Sequence, residues 1–208
     1  MMKIIAHRGL WQKLEDRNGI KAIGEALLEA DGVETDVRDF QGKLVVSHDP
    51  ATSSSVPFEE YLKLPESRNK IWALNIKADG IGERIKKILS EFYIEDYFCF
   101  DMSIPETIRY RSFDLKLFSG VSDFLFAPKI NDMAEGIWLD SFEKIWYSSE
   151  EIEVYLREKK KICIVSEELH QRDHLEQWGM LKCSGLYKSP FIYLCTDKPI
   201  EAKGFFYD

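Results

Sequence analysis

The sequence predicts one (β/α)8 barrel, and three observations carry that expectation. Short runs rich in Ile, Val, Phe and Tyr alternate with stretches of helical apolar spacing, the main runs number about eight, and polar or charged residues stand at the end of nearly every run. Strand–helix alternation implies parallel strands joined by right-handed crossovers. Eight units favour a closed barrel over an open doubly wound sheet. A chain of 208 residues, against ~250 in a typical barrel, leaves some helices short or missing.

Taken in order, Lys3–Arg8 is the first strand, and Asn18–Ala30 carries Ile20, Ile23, Ala26, Leu27 and Ala30 at helical spacing before Gly32 ends it. Val33–Arg38 and Leu44–His48 flank Gln41-Gly42, a hairpin-like turn. Pro50–Asn69, rich in Ser and Pro, reads as a surface loop with a short helix at Phe58–Leu64. Ile71–Lys77 is a strand, followed by a helix at Ile81–Phe92 whose buried face is Ile81, Ile85, Ile88 and Leu89. Tyr97–Asp101, Lys116–Val121, Ile137–Asp140, Ile162–Ser166 and Phe191–Thr196 are further strands, interleaved with helices at Pro105–Ser112, Ser148–Lys160 and Asp173–Leu181. Ser148-Ser149-Glu150-Glu151 has the form of a capped helix start, and Lys159–Lys161 places positive charge at the other end, where the dipole favours it. Ser122–Glu135 shows no clear helix. No linker or composition shift marks a second domain, so residues 1–208 are expected to form one.

Apolar residues make up 45% of the chain and charged residues 31%, which excludes a disordered chain. With 36 acidic against 28 basic side chains the net charge is -8, so no global field gathers nucleic acid or anionic lipid. A phosphate-bearing ligand must then be held by local cations or a metal. No apolar run approaches the ~20 residues that cross a bilayer, and the first residues turn polar too early for a secretory signal. A cytoplasmic protein without stable membrane association is expected. Cys99, Cys163, Cys183 and Cys195 lie far apart with no paired spacing and read as free thiols.

In such a barrel, chemistry sits at the C-terminal ends of the strands. There stand His7-Arg8-Gly9, Glu34-Thr35-Asp36, His48-Asp49, Asn75-Ile76-Lys77, Asp101, Asp140, Ser166-Glu167 and Thr196-Asp197. Strand alternation turns Glu34 and Asp36 to one face, where two carboxylates are costly unless they hold a cation or pair with Arg8, Arg38 or Lys77. His170 and His174 have the i, i+4 spacing of two metal ligands on a helix, although a solvated loop and helix start explains them more simply. Trp11, in the loop after Gly9, is a candidate platform for substrate, and Glu167 stands where it could touch one.

His7-Arg8-Gly9, Glu34-x-Asp36, Val45-Val46-Ser47-His48-Asp49 and the late Cys195-Thr196-Asp197-Lys198-Pro199 together resemble the glycerophosphodiester phosphodiesterase family, whose barrel is related to that of the phosphatidylinositol-specific phospholipases C. The resemblance implies a divalent cation, Mg²⁺ or Ca²⁺, and cleavage of a small soluble phosphodiester. Within it, His7 and His48 are the general acid/base pair, Glu34, Asp36 and Asn75 the metal ligands, and Arg8 and Lys77 ligands of the phosphate. Histidine suits that work because it exchanges a proton near neutral pH. Hard oxygen donors suit either cation, and the cation with Arg8 offsets charge on the phosphoryl oxygens. The family's nucleophile is a neighbouring substrate hydroxyl, giving a cyclic phosphate. A lyase that stops there, or a binding module without catalysis, is the alternative. Two departures stand out: Asp16-Arg17-Asn18-Gly19 replaces the family's Pro-Glu-Asn-Thr, and Asn75-x-Lys77 replaces its Glu-x-Lys. The amide at Asn75 keeps an oxygen donor but removes a charge, which should weaken cation affinity.

Overall fold

A computed structural model describes residues 1–126 and 128–207. Its strands are β1 (Lys3–His7), β2 (Gly32–Phe40), β3 (Lys43–Val46), β4 (Ile71–Ile76), β5 (Tyr97–Phe100), β6 (Phe118–Val121), β7 (Gly136–Leu139), β8 (Lys161–Val165) and β9 (Ile192–Thr196). The helices are α1 (Ile20–Glu29), α2 (Phe58–Leu62), α3 (Gly82–Glu91), α4 (Ile104–Ser112), α5 (Pro128–Met133), α6 (Ser149–Arg157), α7 (Leu175–Cys183) and α8 (Pro199–Tyr207). The strands follow the hydrogen-bonded order β5-β4-β2-β1-β9-β8-β7-β6. With β3 set aside, this is the strand order of a (β/α)8 barrel. The neighbouring pairs β2–β4, β4–β5, β6–β7, β7–β8 and β8–β9 are parallel. The hairpin expected at Gln41-Gly42 is present: β3 runs antiparallel to β2, and both turn residues take positive φ, at 48° and 80°.

The chain divides into two compact units, Ala6–Leu117 and Met1–Ile5 with Phe118–Asp208. In the first, β4 is buried along its whole length and is apolar at five of its six positions; β2 is buried from Gly32 to Val37 yet carries Glu34, Thr35 and Asp36 within that stretch. Helix α1 buries Ala22, Ile23, Ala26 and Leu27. Trp72 is fully buried, donates its indole N–H to the Ser67 carbonyl at 2.9 Å and meets Phe58 edge-on at 6.0 Å.

The second unit packs around Trp178, also fully buried, against which Phe205 and Phe206 of α8 lie at 5.5 and 5.6 Å. Its helix α6 starts with a reciprocal capping box between Ser148 and Glu151, as the sequence reads. Two elements differ from expectation. Helix α5 occupies the segment where no helix was expected, because its six residues are too few and too polar to show a helical period; Ser119 ties it down by donating to Asn131 Oδ1 at 2.6 Å. Helix α8 is apolar on several sides, which erases the amphipathic contrast that marks a surface helix. Cys99, Cys163 and Cys195 are buried free thiols, and Cys183 is exposed. Among the described residues no helix is long and apolar enough to cross a membrane.

Candidate active site

The site is assembled where β1, β2 and β4 end. After His7 the backbone turns sharply: Arg8 has φ 55° and Gly9 φ 95°. Only glycine fits the second position, since a Cβ there would lie 2.7 Å from the Ala22 carbonyl carbon. The Arg8 carbonyl accepts from Asn18 N at 2.9 Å, closing the loop between them, and Arg8 N donates to the Glu34 carbonyl at 3.1 Å and to Glu34 Oε2 at 3.2 Å. Gly9→Ala is expected to lower stability by ~3 kcal/mol through strain and overpacking, read as a shift of the urea midpoint.

Asp36 is the hub. Its fully buried carboxylate pairs with Arg8 Nε at 2.9 Å through Oδ2, accepts from Asn18 Nδ2 at 2.8 Å through the same oxygen, and lies 3.8 Å from Lys77 Nζ through Oδ1. Lys77 in turn donates to Asp101 Oδ2 at 2.9 Å. His7 Nε2 lies 3.8 Å from Glu34 Oε2. Asn75 is the register partner of Asp36 on the adjacent parallel strand. Arg38, the other cation weighed for the carboxylates, instead donates to the His48 carbonyl at 3.0 Å.

Three buried oxygens of this cluster, Glu34 Oε1, Asp36 Oδ1 and Asn75 Oδ1, have no hydrogen-bond partner among the described residues. Orphaned buried acceptors are costly, and two carboxylates with an amide form a hard-oxygen donor set that fits Mg²⁺ or Ca²⁺. Among the described residues no group of three or more His, Cys, Asp or Glu side chains is placed to hold a metal ion.

Burial first, and the Asp36 carboxylate next, push the Glu34 carboxyl well above its ordinary value near 4.5, against the opposing pull of Arg8 and Lys77. A carboxyl raised in this way binds a proton more tightly folded than unfolded. Below the ordinary value it costs nothing; as pH climbs from there toward the folded value, ionising the buried group costs stability progressively. Thermal melts in EDTA should therefore show wild type losing stability relative to Glu34→Gln as pH rises from about 4.5. A constant difference across pH would contradict this.

His48 is 48% exposed, with Nδ1 2.9 Å from Asp49 Oδ1, and shares with Arg8, Arg17 and Asn18 a cleft of about 540 Å³. Trp11 lines a different cleft of about 370 Å³ with Leu10, Gln12 and Glu25. Its indole N–H donates to the His7 carbonyl at 3.1 Å, and the Arg17 guanidinium lies 4.2 Å over its ring. The structure thus gathers His7, Arg8, Glu34, Asp36 and Lys77 in one network, sets Asn75 in register with Asp36 on the adjacent strand, places His48 on the cleft that Arg8 lines, and sets Trp11 beside the turn.

In the other unit, His170 and His174 do not share a site. His170 Nε2 pairs with Asp140 Oδ1 at 2.7 Å, whereas His174 Nε2 faces Glu201 Oε1 at 3.3 Å and its ring abuts Trp178 at 4.2 Å. Glu167 is buried against Arg172 Nε at 2.6 Å.

Asp101, placed by the sequence at a strand end, and Asn18, in the loop after the first strand, were given no role there. Both are non-glycine residues with positive φ, 59° and 68°, and both have side chains bound to the charge network. The signal for Asn18 was Asn-Gly at a loop end, where Asn tolerates the left-handed conformation.

No family model matches the sequence, and no curated protein does. Solved structures do. A glycerophosphodiester phosphodiesterase from Agrobacterium tumefaciens aligns with TM-score 0.71 and 17% identity over 96% of this chain and 97% of that one. An Oleispira antarctica phosphodiesterase in complex with the product sn-glycerol-3-phosphate gives 0.72 and 13% over 100% and 98%. A glycerophosphoryl diester phosphodiesterase from Parabacteroides distasonis gives 0.64 and 14% over 99% and 86%. At these identities the likeness establishes the (β/α)8 fold, over nearly the full length of each chain.

Proposed function

We propose that the chain is a divalent-cation-assisted phosphodiesterase acting on a small, soluble glycerophosphodiester. The observation that carries this reading is the trio of partnerless buried oxygens, Glu34 Oε1, Asp36 Oδ1 and Asn75 Oδ1, on the adjacent strands β2 and β4, with Arg8 and Lys77 held at Asp36. Two cations, Arg8 and Lys77, beside an acidic seat suit a ligand that is itself anionic and brings its charge to a bound metal. The likeness in fold to phosphodiesterases, one holding sn-glycerol-3-phosphate, supports the same substrate class.

In this reading Glu34, Asp36 and Asn75 hold Mg²⁺ or Ca²⁺, which when bound would polarise the phosphoryl group and offset its charge. Arg8 orients the phosphate, its own guanidinium fixed by Asp36. Lys77, restrained between Asp36 and Asp101, adds a second positive charge. His7, beside Glu34, and His48, on the cleft that Arg8 lines, exchange protons with the attacking and leaving oxygens. The account places the protein in the cytoplasm and gives it a small-molecule partner rather than nucleic acid or a membrane.

³¹P NMR of a glycerophosphodiester incubated with the protein and Mg²⁺ or Ca²⁺ tests the proposal. Conversion to a phosphomonoester supports a hydrolase, and accumulation of a cyclic diester supports the related lyase. An unchanged spectrum with both cations would overturn catalysis and leave a binding module.

A further inference from the structure

Away from the phosphodiester network, a cavity of about 270 Å³ opens in the Phe118–Asp208 unit. Its floor is apolar, from Leu139 of β7 and Ile152 of α6, and its aromatic wall is Trp146, Tyr147 and Tyr155. The charged side chains that line it are Asp132, Glu151 and Glu158, and no lysine or arginine lines it among the described residues. None of the three acids forms an ion pair among the described residues. The nearby ammonium of Lys160 is spent on the carbonyls of Asn131, at 2.8 Å, and Ala134.

Glu151, Tyr155 and Glu158 stand at i, i+4 and i+7, one face of α6 and its C-cap, so a tyrosine ring lies between two carboxylates. Burial, and then the Glu158 and Glu151 carboxylates, push the Tyr155 hydroxyl above its ordinary value, consistent with a negative potential in the cavity. Glu158, at the C-terminal end of α6, adds its charge to the negative end of the helix dipole, a placement that the helix itself does not favour.

We propose that this cavity binds a small organic cation with an apolar body, of the alkylammonium or quaternary ammonium class. A metal ion fits poorly: Glu151 and Glu158 are about 10 Å apart along the helix, too far to chelate one ion. A purely apolar ligand leaves three carboxylates without countercharge. A cation with a methyl-clad or alkyl body satisfies the aromatic wall, the apolar floor and the acids, which have no counter-ion among the described residues, together. The inference stands apart from the phosphodiester reading, since none of its residues belongs to that network.

The test is titration of (2-hydroxyethyl)trimethylammonium into the full chain, followed at the Trp146 indole N–H by NMR, with the uncharged isostere 3,3-dimethylbutan-1-ol as the comparison. The cation should saturate the site and bind about tenfold more tightly than the isostere. Glu158→Gln should weaken it about three- to tenfold, as should Asp132→Asn. Both residues are unpaired and near the surface, so the variants should keep the wild-type spectrum elsewhere. No saturable shift by about 100 mM, equal binding of the isostere, or unchanged affinity in the double variant would overturn the assignment.

Discussion

His7→Ala and His48→Ala are each expected to lower turnover of a glycerophosphodiester by about 10²–10⁴-fold, the contribution typical of a general acid or base. Neither should unfold the protein, because the backbone hydrogen bonds that both residues supply persist in the variants. The His7 carbonyl accepts the Trp11 indole N–H, and the His48 carbonyl accepts from Arg38. Alanine keeps both bonds. The side chain of His48 is 48% exposed and gives up little packing, whereas that of His7 is 13% exposed, so His7→Ala is expected to lower the urea midpoint modestly as well. Rates measured beside urea midpoints separate the effects. A loss of rate of about 10²–10⁴-fold in protein that is still folded under assay conditions supports the roles, and wild-type rates in either variant would contradict them.

The second large effect is on stability. Asp36→Ala is expected to destabilise the fold by about 3–5 kcal/mol, the usual result of removing one partner of a buried charge pair. Asp36 is fully buried and meets Arg8, Asn18 and, at longer range, Lys77. Without it the Arg8 guanidinium loses its counter-ion and Asn18 Nδ2 its acceptor. Asp36→Asn keeps the shape and an oxygen, and should cost less, while activity falls in both because Arg8 is no longer held by a charge. Denaturant unfolding of the pair reads the difference; equal midpoints for wild type and Asp36→Ala would show that the network is not a structural hub.

Much of this fold was legible because strands that are buried on both faces, such as Ile71–Ile76, read as unbroken apolar runs, and Ile81, Ile85, Ile88 and Leu89 mark a helix face. Helix α5 was not legible: it is held by tertiary bonds, Ser119 to Asn131 across twelve residues and Lys160 Nζ to the Asn131 carbonyl, which no local period reports. The pairing of Glu34 and Asp36 on one face followed from strand alternation alone. That Asp36 would take Arg8 and leave Arg38 to the His48 carbonyl did not, because it depends on the left-handed turn at Arg8 and Gly9. The partners of Asn18 and Asp101 escaped for the same reason. Their positive φ values are tertiary facts, and they aim short polar side chains back at Asp36 and Lys77.

The central claim is that Glu34, Asp36 and Asn75 form a cation seat. Calorimetric titration of Mg²⁺ and Ca²⁺ into EDTA-stripped protein tests it most directly, with Glu34→Gln and Asn75→Glu titrated beside wild type. The account expects one saturable site in wild type, accompanied by proton release because the raised Glu34 carboxyl must ionise to bind. It expects that site to be lost or greatly weakened in Glu34→Gln and tightened in Asn75→Glu, where a unit of negative charge is added. Binding that is absent in wild type, or identical in all three proteins, would contradict it.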